Sequence, residues 1–138
     1  MKTFIDTGFF VAFLNKRDQN HSRAVELMRE LLNGDYGEPS TSDYVFDEAV
    51  TVALVRTRSS KIAESVGKLI LGEPDAQFFK MEYISERVFK EAWKSFTGLA
   101  ERGLSFTDCV TLVLMQSHGF DAVLSFDSDF DGLVLRLY

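Results

Sequence analysis

Strand-length segments alternate with helix-period segments along nearly the whole of this 138-residue chain, and that alternation narrows its fold more than any other feature. Residues 2–6 (KTFID), 38–41 (EPST), 76–84 (AQFFKMEYI), 121–126 (DAVLSF) and 133–138 (LVLRLY) read as strands. Between them run segments of helical period. Thr7 is expected to cap an apolar helix reaching Asn15. Over 20–33, Ala24, Leu27, Met28, Leu31 and Leu32 recur at helical spacing until Gly34 stops them. Ser42 opens a further helix, a polar break at 57–60 leads into another ending at Gly72, and Ser85 and Ser105 open two more. Such alternation predicts an α/β domain with a central, mostly parallel sheet flanked by helices. Residues 1–138 are expected to form one domain. Sheets of this kind bind ligands beyond the carboxyl ends of their strands, and two acids fall at such ends: Asp6 after the first strand and Asp127 after the fourth.

Composition removes several alternatives. One cysteine, Cys109, makes neither an internal disulfide nor a cysteine-rich zinc site. No apolar run approaches the ~18 residues of a membrane span. Asp6 interrupts the apolar start and no cleavage signal follows it, so a cytoplasmic protein with no membrane partner is the expectation. Fifteen Lys and Arg against 21 Asp and Glu give a net charge of −6. That argues against nucleic-acid binding through a broad basic surface. It is compatible with reaching phosphate through a metal ion held by acids.

Two acids lie where apolar residues are expected. Glu48 falls on the stripe 45–48–52–55, otherwise Val45, Val52 and Val55, while Asp47 keeps to a more polar face with Asp43 and Thr51. A buried carboxylate needs a partner, either an arginine or something outside the chain. Asp108 shares a stripe with Leu112 and Met115. Ser105-x-x-Asp108 also reads as a capping box, which accounts for an acid in the first helical turn. In the closing segment, Asp127, Asp129 and Asp131 alternate as in a calcium loop, but Tyr138 stands where that loop requires a bidentate Glu. On a doubly wound sheet Asp6, Glu48, Asp108 and Asp127 would reach one cleft. Like charges so gathered call for a hard divalent cation, and acidic clusters of that kind serve phosphodiester hydrolysis.

The ordered series DTGFF, the acid in SDYVFDEAV, LSFTDCVTLVL and LSFDSDF, with His21-x-x-Ala24 between the first two, resembles the PIN-domain ribonucleases, and within them the small VapC-type toxins of toxin–antitoxin systems. The resemblance implies a PIN-like three-layer domain that cleaves RNA with Mg²⁺ or Mn²⁺. It implies that Asp6, Glu48, Asp108 and Asp127 are the catalytic, metal-binding acids, with Asp129 as a further ligand; nearness to the strand end ranks Asp127 first, then Asp129, then Asp131. Ser125 matches the hydroxyl residue two before the last acid and is expected among the substrate-binding residues. A homodimer and a cognate antitoxin are the implied protein partners. For the substrate, Arg56, Arg58 and Lys61, with Lys16 and Arg17, form the local basic run that would position phosphate. His21 and His118 lie outside the acidic motifs; His21 is read as a packing or hydrogen-bonding group and His118 as a helix C-terminal residue favoured by the dipole. The competing readings are a catalytically silent PIN-like module that binds RNA or protein, and another Mg²⁺-dependent phosphohydrolase. A haloacid-dehalogenase-type phosphatase expects a second Asp where Gly8 stands. An apolar face on the two helices over 45–71, through Val55, Ile62, Val66, Leu69 and Ile70, is expected to take a partner protein.

Overall fold

The computed structural model describes residues 1–138. In chain order the elements are β1 (Lys2–Ile5), α1 (Thr7–Leu14), α2 (His21–Leu32), β2 (Glu38–Ser42), α3 (Asp43–Thr57), α4 (Ser60–Leu71), β3 (Lys80–Glu82), α5 (Glu86–Ala100), α6 (Phe106–His118), β4 (Ala122–Leu124) and β5 (Arg136–Leu137). The five strands form one sheet in the order β3-β2-β1-β4-β5, and every neighbouring pair is parallel. Helices flank this sheet, as the alternation predicts for a three-layer α/β fold of PIN type.

The central strand β1 has β2 on one side and β4 on the other, so the chain reverses its winding there. That switch point opens a crevice at the carboxyl ends of β1 and β4. Thr3, Phe4 and Ile5 are fully buried, as a strand covered on both faces requires. Phe4, Phe9, Phe10, Phe79 and Phe130 are the largest fully buried side chains, so much of the phenylalanine content is core. Strand β2 is polar in sequence yet buried from Ser40 to Ser42. Thr41 donates its hydroxyl to the Ile5 carbonyl (3.0 Å), and Ser42 Oγ accepts from the Val45 N–H (3.2 Å) to cap α3. Gly37 enters β2 at φ 70°, where a Cβ would lie 2.0 Å from the Met1 carbonyl oxygen. Only glycine fits that close approach.

Three expectations about local structure are corrected. The run 76–84 supplies only three strand residues, because β3 is an edge strand whose ladder covers Ser40–Ser42 alone. The run 133–138 supplies only two, since Leu133 and Val134 donate their N–H groups back to the Phe130 carbonyl and finish the preceding turn. Thr7 does not cap α1. It is the first helical residue, Asp6 occupies the cap position without a side-chain cap bond, and the buried Thr7 Oγ1 has no partner.

Candidate active site

The cleft at the switch point has a volume of about 470 Å³, and Asp6, Glu48, Asp108 and Asp127 all line it. Each acid arrives on a different element. Asp6 ends β1, Glu48 stands on the second turn of α3, Asp108 on the first turn of α6, and Asp127 follows β4. Val52 and Arg56 continue the α3 wall, and Thr7, Ser105 and Gly103 complete the surround.

Three of the four carboxyl groups are anchored. Ser125 Oγ donates to Asp6 Oδ2 at 2.6 Å, and the same oxygen accepts from the Asp127 N–H at 3.0 Å. The Ser105 N–H donates to Asp108 Oδ2 at 2.8 Å while Ser105 Oγ accepts from the Asp108 N–H at 3.1 Å. That is the capping box expected from the sequence, in a residue that also faces the cleft. Asp127 Oδ1 accepts from the Asp129 N–H at 2.8 Å, opening a short 3₁₀ turn over Ser128–Phe130. Phe130 is buried and pins that turn to the core. Glu48 is half-buried and enters no ion pair within the protein. Its stripe is less buried than the sequence suggests, because Val55 is 70% exposed.

Asp6 is only 5% and Asp108 7% exposed. Burial pushes the Asp6 carboxyl up to about 7; the Ser125 hydrogen bond opposes that rise and the Asp108 and Glu48 charges add to it. Burial likewise raises Asp108 to about 6, against the Ser105 hydrogen bonds and with Asp127 and Glu48 contributing repulsion. The acids are thus electrostatic neighbours. As the side chains stand, no three His, Cys, Asp or Glu groups are set closely enough to hold a metal ion. The donor set itself fits a hard divalent cation, being all carboxylate oxygen with a further buried, unpartnered hydroxyl at Thr7.

The remaining sequence candidates separate. Ser125 is fully buried with its hydroxyl engaged by Asp6 and Asp127, a place for positioning those acids and not for touching substrate. Arg56 lines the cleft, whereas Arg58 and Lys61 are exposed at the α3–α4 junction outside it. Asp129 stays off the cleft wall, beside Gly103, whose added Cβ would meet Asp129 Oδ2 at 3.2 Å. Asp131 is drawn away by Arg136, which grips both its oxygens (2.6 and 2.9 Å) and donates to the Ser125 carbonyl at 3.2 Å. His21 Nδ1 lies 2.8 Å from the Ala12 carbonyl and ties α2 to α1, and His118 Nδ1 meets the Leu114 carbonyl at 3.3 Å. Asp18, Gln19 and Asn20 also line the cleft. Sequence reasoning missed them, since a polar run before a helix reads as a cap and nothing local points it at β1.

The PIN domain family matches residues 3–133. The chain belongs to this family. The PIN chain is 24% identical over 131 residues to a "VapC ribonuclease" of Archaeoglobus fulgidus, covering 94% of this chain and 80% of the relative. It is 26% identical over 127 residues to the "23S rRNA-specific endonuclease VapC20" of Mycobacterium tuberculosis, covering 92% and 90%. The crystal structure of Mycobacterium tuberculosis VapC20, described as a sarcin–ricin loop cleaving toxin, superposes with a TM-score of 0.78 at 25% identity, over 93% of this chain and 92% of that one. The family model gives the PIN domain, and within it sequence and fold both resemble the VapC type.

Proposed function

We propose that this PIN domain is a metal-dependent endoribonuclease acting as the toxin of a toxin–antitoxin pair, with Asp6, Glu48, Asp108 and Asp127 as its metal-binding acids. The observation that carries the reading is their meeting on one cleft at the sheet's switch point, two of them buried and raised by burial and mutual repulsion. Asp129 is the next candidate ligand, two residues after Asp127 and bonded to it through its own N–H. A bound Mg²⁺ or Mn²⁺ would lower the pKa of water and neutralise charge on the scissile phosphate. The chain's own groups have definable tasks. Ser125 and Ser105 hold the Asp6 and Asp108 carboxyls in place, and Arg56 offers the cleft its one cation for a phosphate oxygen. No histidine is needed as a base.

Likeness to VapC20 supports an RNA substrate and a toxin role. Two apolar surfaces support protein partners. On α5, Trp93 is 63% and Phe89 45% exposed, both ringed around Phe106, a face suited to a second copy of the chain. Between α3 and α4, Phe46, Val50, Leu54, Ala63, Gly67 and Leu71 border an apolar groove that we assign to the antitoxin. This groove is not the face expected from sequence, because Val66 and Ile70 turn into the core. No helix is long and apolar enough to cross a membrane.

Purified protein should cut RNA with Mg²⁺ or Mn²⁺ and stop with EDTA. Asp6→Asn, Glu48→Gln and Asp108→Asn should each lower cleavage by on the order of 10²–10³ while circular dichroism remains unchanged. Undiminished cleavage by all three variants would overturn the assignment.

A further inference from the structure

A second cavity, of about 560 Å³, adjoins the acidic cleft and shares one lining residue with it, Arg56. Its other walls include Asn15, Lys16 and Arg17, after the end of α1, and Thr57, the last residue of α3. Two neighbouring segments, 15–17 and 56–61, hold five of the chain's 15 Lys and Arg residues and no acid. The other ten cations are set against 21 acids. Positive charge is therefore concentrated beside the one cleft whose own walls repel a polyanion.

None of these five cations is spent within the protein. The ion pairs engage Arg23, Lys80, Arg87, Lys90 and Arg136, and side-chain donation by lysine and arginine to backbone comes from Lys2, Arg23 and Arg136. The loop backbone is fixed without them. Asn15 Oδ1 accepts from the Arg17 N–H at 3.2 Å, and Thr57 Oγ1 donates to the Ala53 carbonyl at 2.6 Å. The simplest alternative is that Lys16, Arg17 and Arg56 only offset the negative ends of α1 and α3. That explains the sign of the charges, but not the cavity they line or its junction with the cleft.

We propose that this cavity is a backbone-phosphate subsite for the RNA strand flanking the scissile position, with Lys16 and Arg17 gripping a flanking phosphate and Arg56 spanning the two cavities. The proposal rests on the ribonuclease reading above and adds where the strand leaves the cleft. Such contacts position the strand without reading its bases.

The test compares wild type, the double variant Lys16→Gln/Arg17→Gln, and Lys94→Gln, which removes an exposed cation on α5. Cleavage of a single-stranded RNA is followed from 50 to 200 mM salt. Binding of the same RNA is measured by fluorescence anisotropy on an Asp6→Asn background, so that it does not depend on turnover. The double variant should raise KM about tenfold at low salt, and flatten the slope of log affinity against log salt by about 0.7 for each lost phosphate contact. Lys94→Gln should change neither. A double variant that melts at lower temperature but keeps the wild-type KM and salt slope would mean helix-end stabilisation only, and the subsite would be overturned with the ribonuclease reading intact. Absence of RNA cleavage by wild type would overturn that reading, and this proposal with it.

Discussion

At the floor of the cleft, Asp6 and Asp108 are nearly closed to solvent and each is held by a serine-based hydrogen bond, whereas Lys16 and Arg17 at its flank are exposed and held by nothing. The two regions use charge in opposite ways. Burial makes the floor acids resist ionisation, so their charge state depends on pH and on any cation that arrives. The flank cations are exposed, so their attraction for a polyanion is weakened by salt instead. On the proposed function, the floor would take the divalent cation and the flank the polyanion.

The largest way to separate floor from flank is pH. Asp6 rises to about 7 and Asp108 to about 6 in the fold, from an ordinary 3.8. The native state therefore holds protons that the unfolded chain gives up. The resulting stabilisation is complete below about pH 4 and is lost as pH climbs through 6 and 7. In EDTA, denaturant unfolding of wild type should show stability falling by on the order of a few kcal/mol between pH 4 and pH 8. Asp6→Asn should remove much of that slope and be the more stable protein at pH 8. Lys16→Gln/Arg17→Gln should leave the slope as it is.

A smaller effect is expected inside the floor itself. Ser125→Ala removes the hydroxyl that favours ionised Asp6, so it should push the Asp6 carboxyl higher still and move the cleavage profile to more alkaline pH. Loss of a buried hydrogen bond should cost about 1–3 kcal/mol in unfolding experiments. Ser125→Thr, which keeps the hydroxyl, should restore the profile. The smallest effect belongs to the flank. Arg58 caps the carboxyl end of α3 at φ 52°, a left-handed conformation that favours glycine. Arg58→Gly should raise stability by about 0.5–1 kcal/mol. Unchanged cleavage would remove Arg58 from the substrate contacts, and a fall in cleavage despite the added stability would restore it.

Strand–helix alternation made the fold class legible, and the serine caps at Ser42, Ser85 and Ser105 located three helix starts. Edge strands were overread because propensity fixes where a strand fits, while a neighbour's ladder decides how long it runs. Among the acids, Glu48 and Asp108 stood out as carboxylates on apolar stripes, and Asp6 and Asp127 as acids at strand ends. Nearness to the strand end ranks Asp127 ahead of Asp129 and Asp131, whereas the pairing of Asp131 with Arg136 has no signature in the local pattern. Asp18, Gln19 and Asn20 reach the cleft through the packing of α1 against α2, which no local pattern encodes.

Metal binding linked to proton release tests the central claim most directly. Isothermal titration of wild type with Mg²⁺ or Mn²⁺ at pH 6 and pH 8, in two buffers of different ionisation enthalpy, reads both affinity and protons displaced. A cation entering a cleft with protonated Asp6 must expel that proton. The account predicts release of about 1.4 protons at pH 6, roughly 0.9 from Asp6 and about 0.5 from Asp108, little at pH 8, tighter binding at pH 8, and in Asp6→Asn loss of the larger, Asp6 share of that release. Equal binding by wild type and Asp6→Asn, with no proton released at either pH, would contradict it.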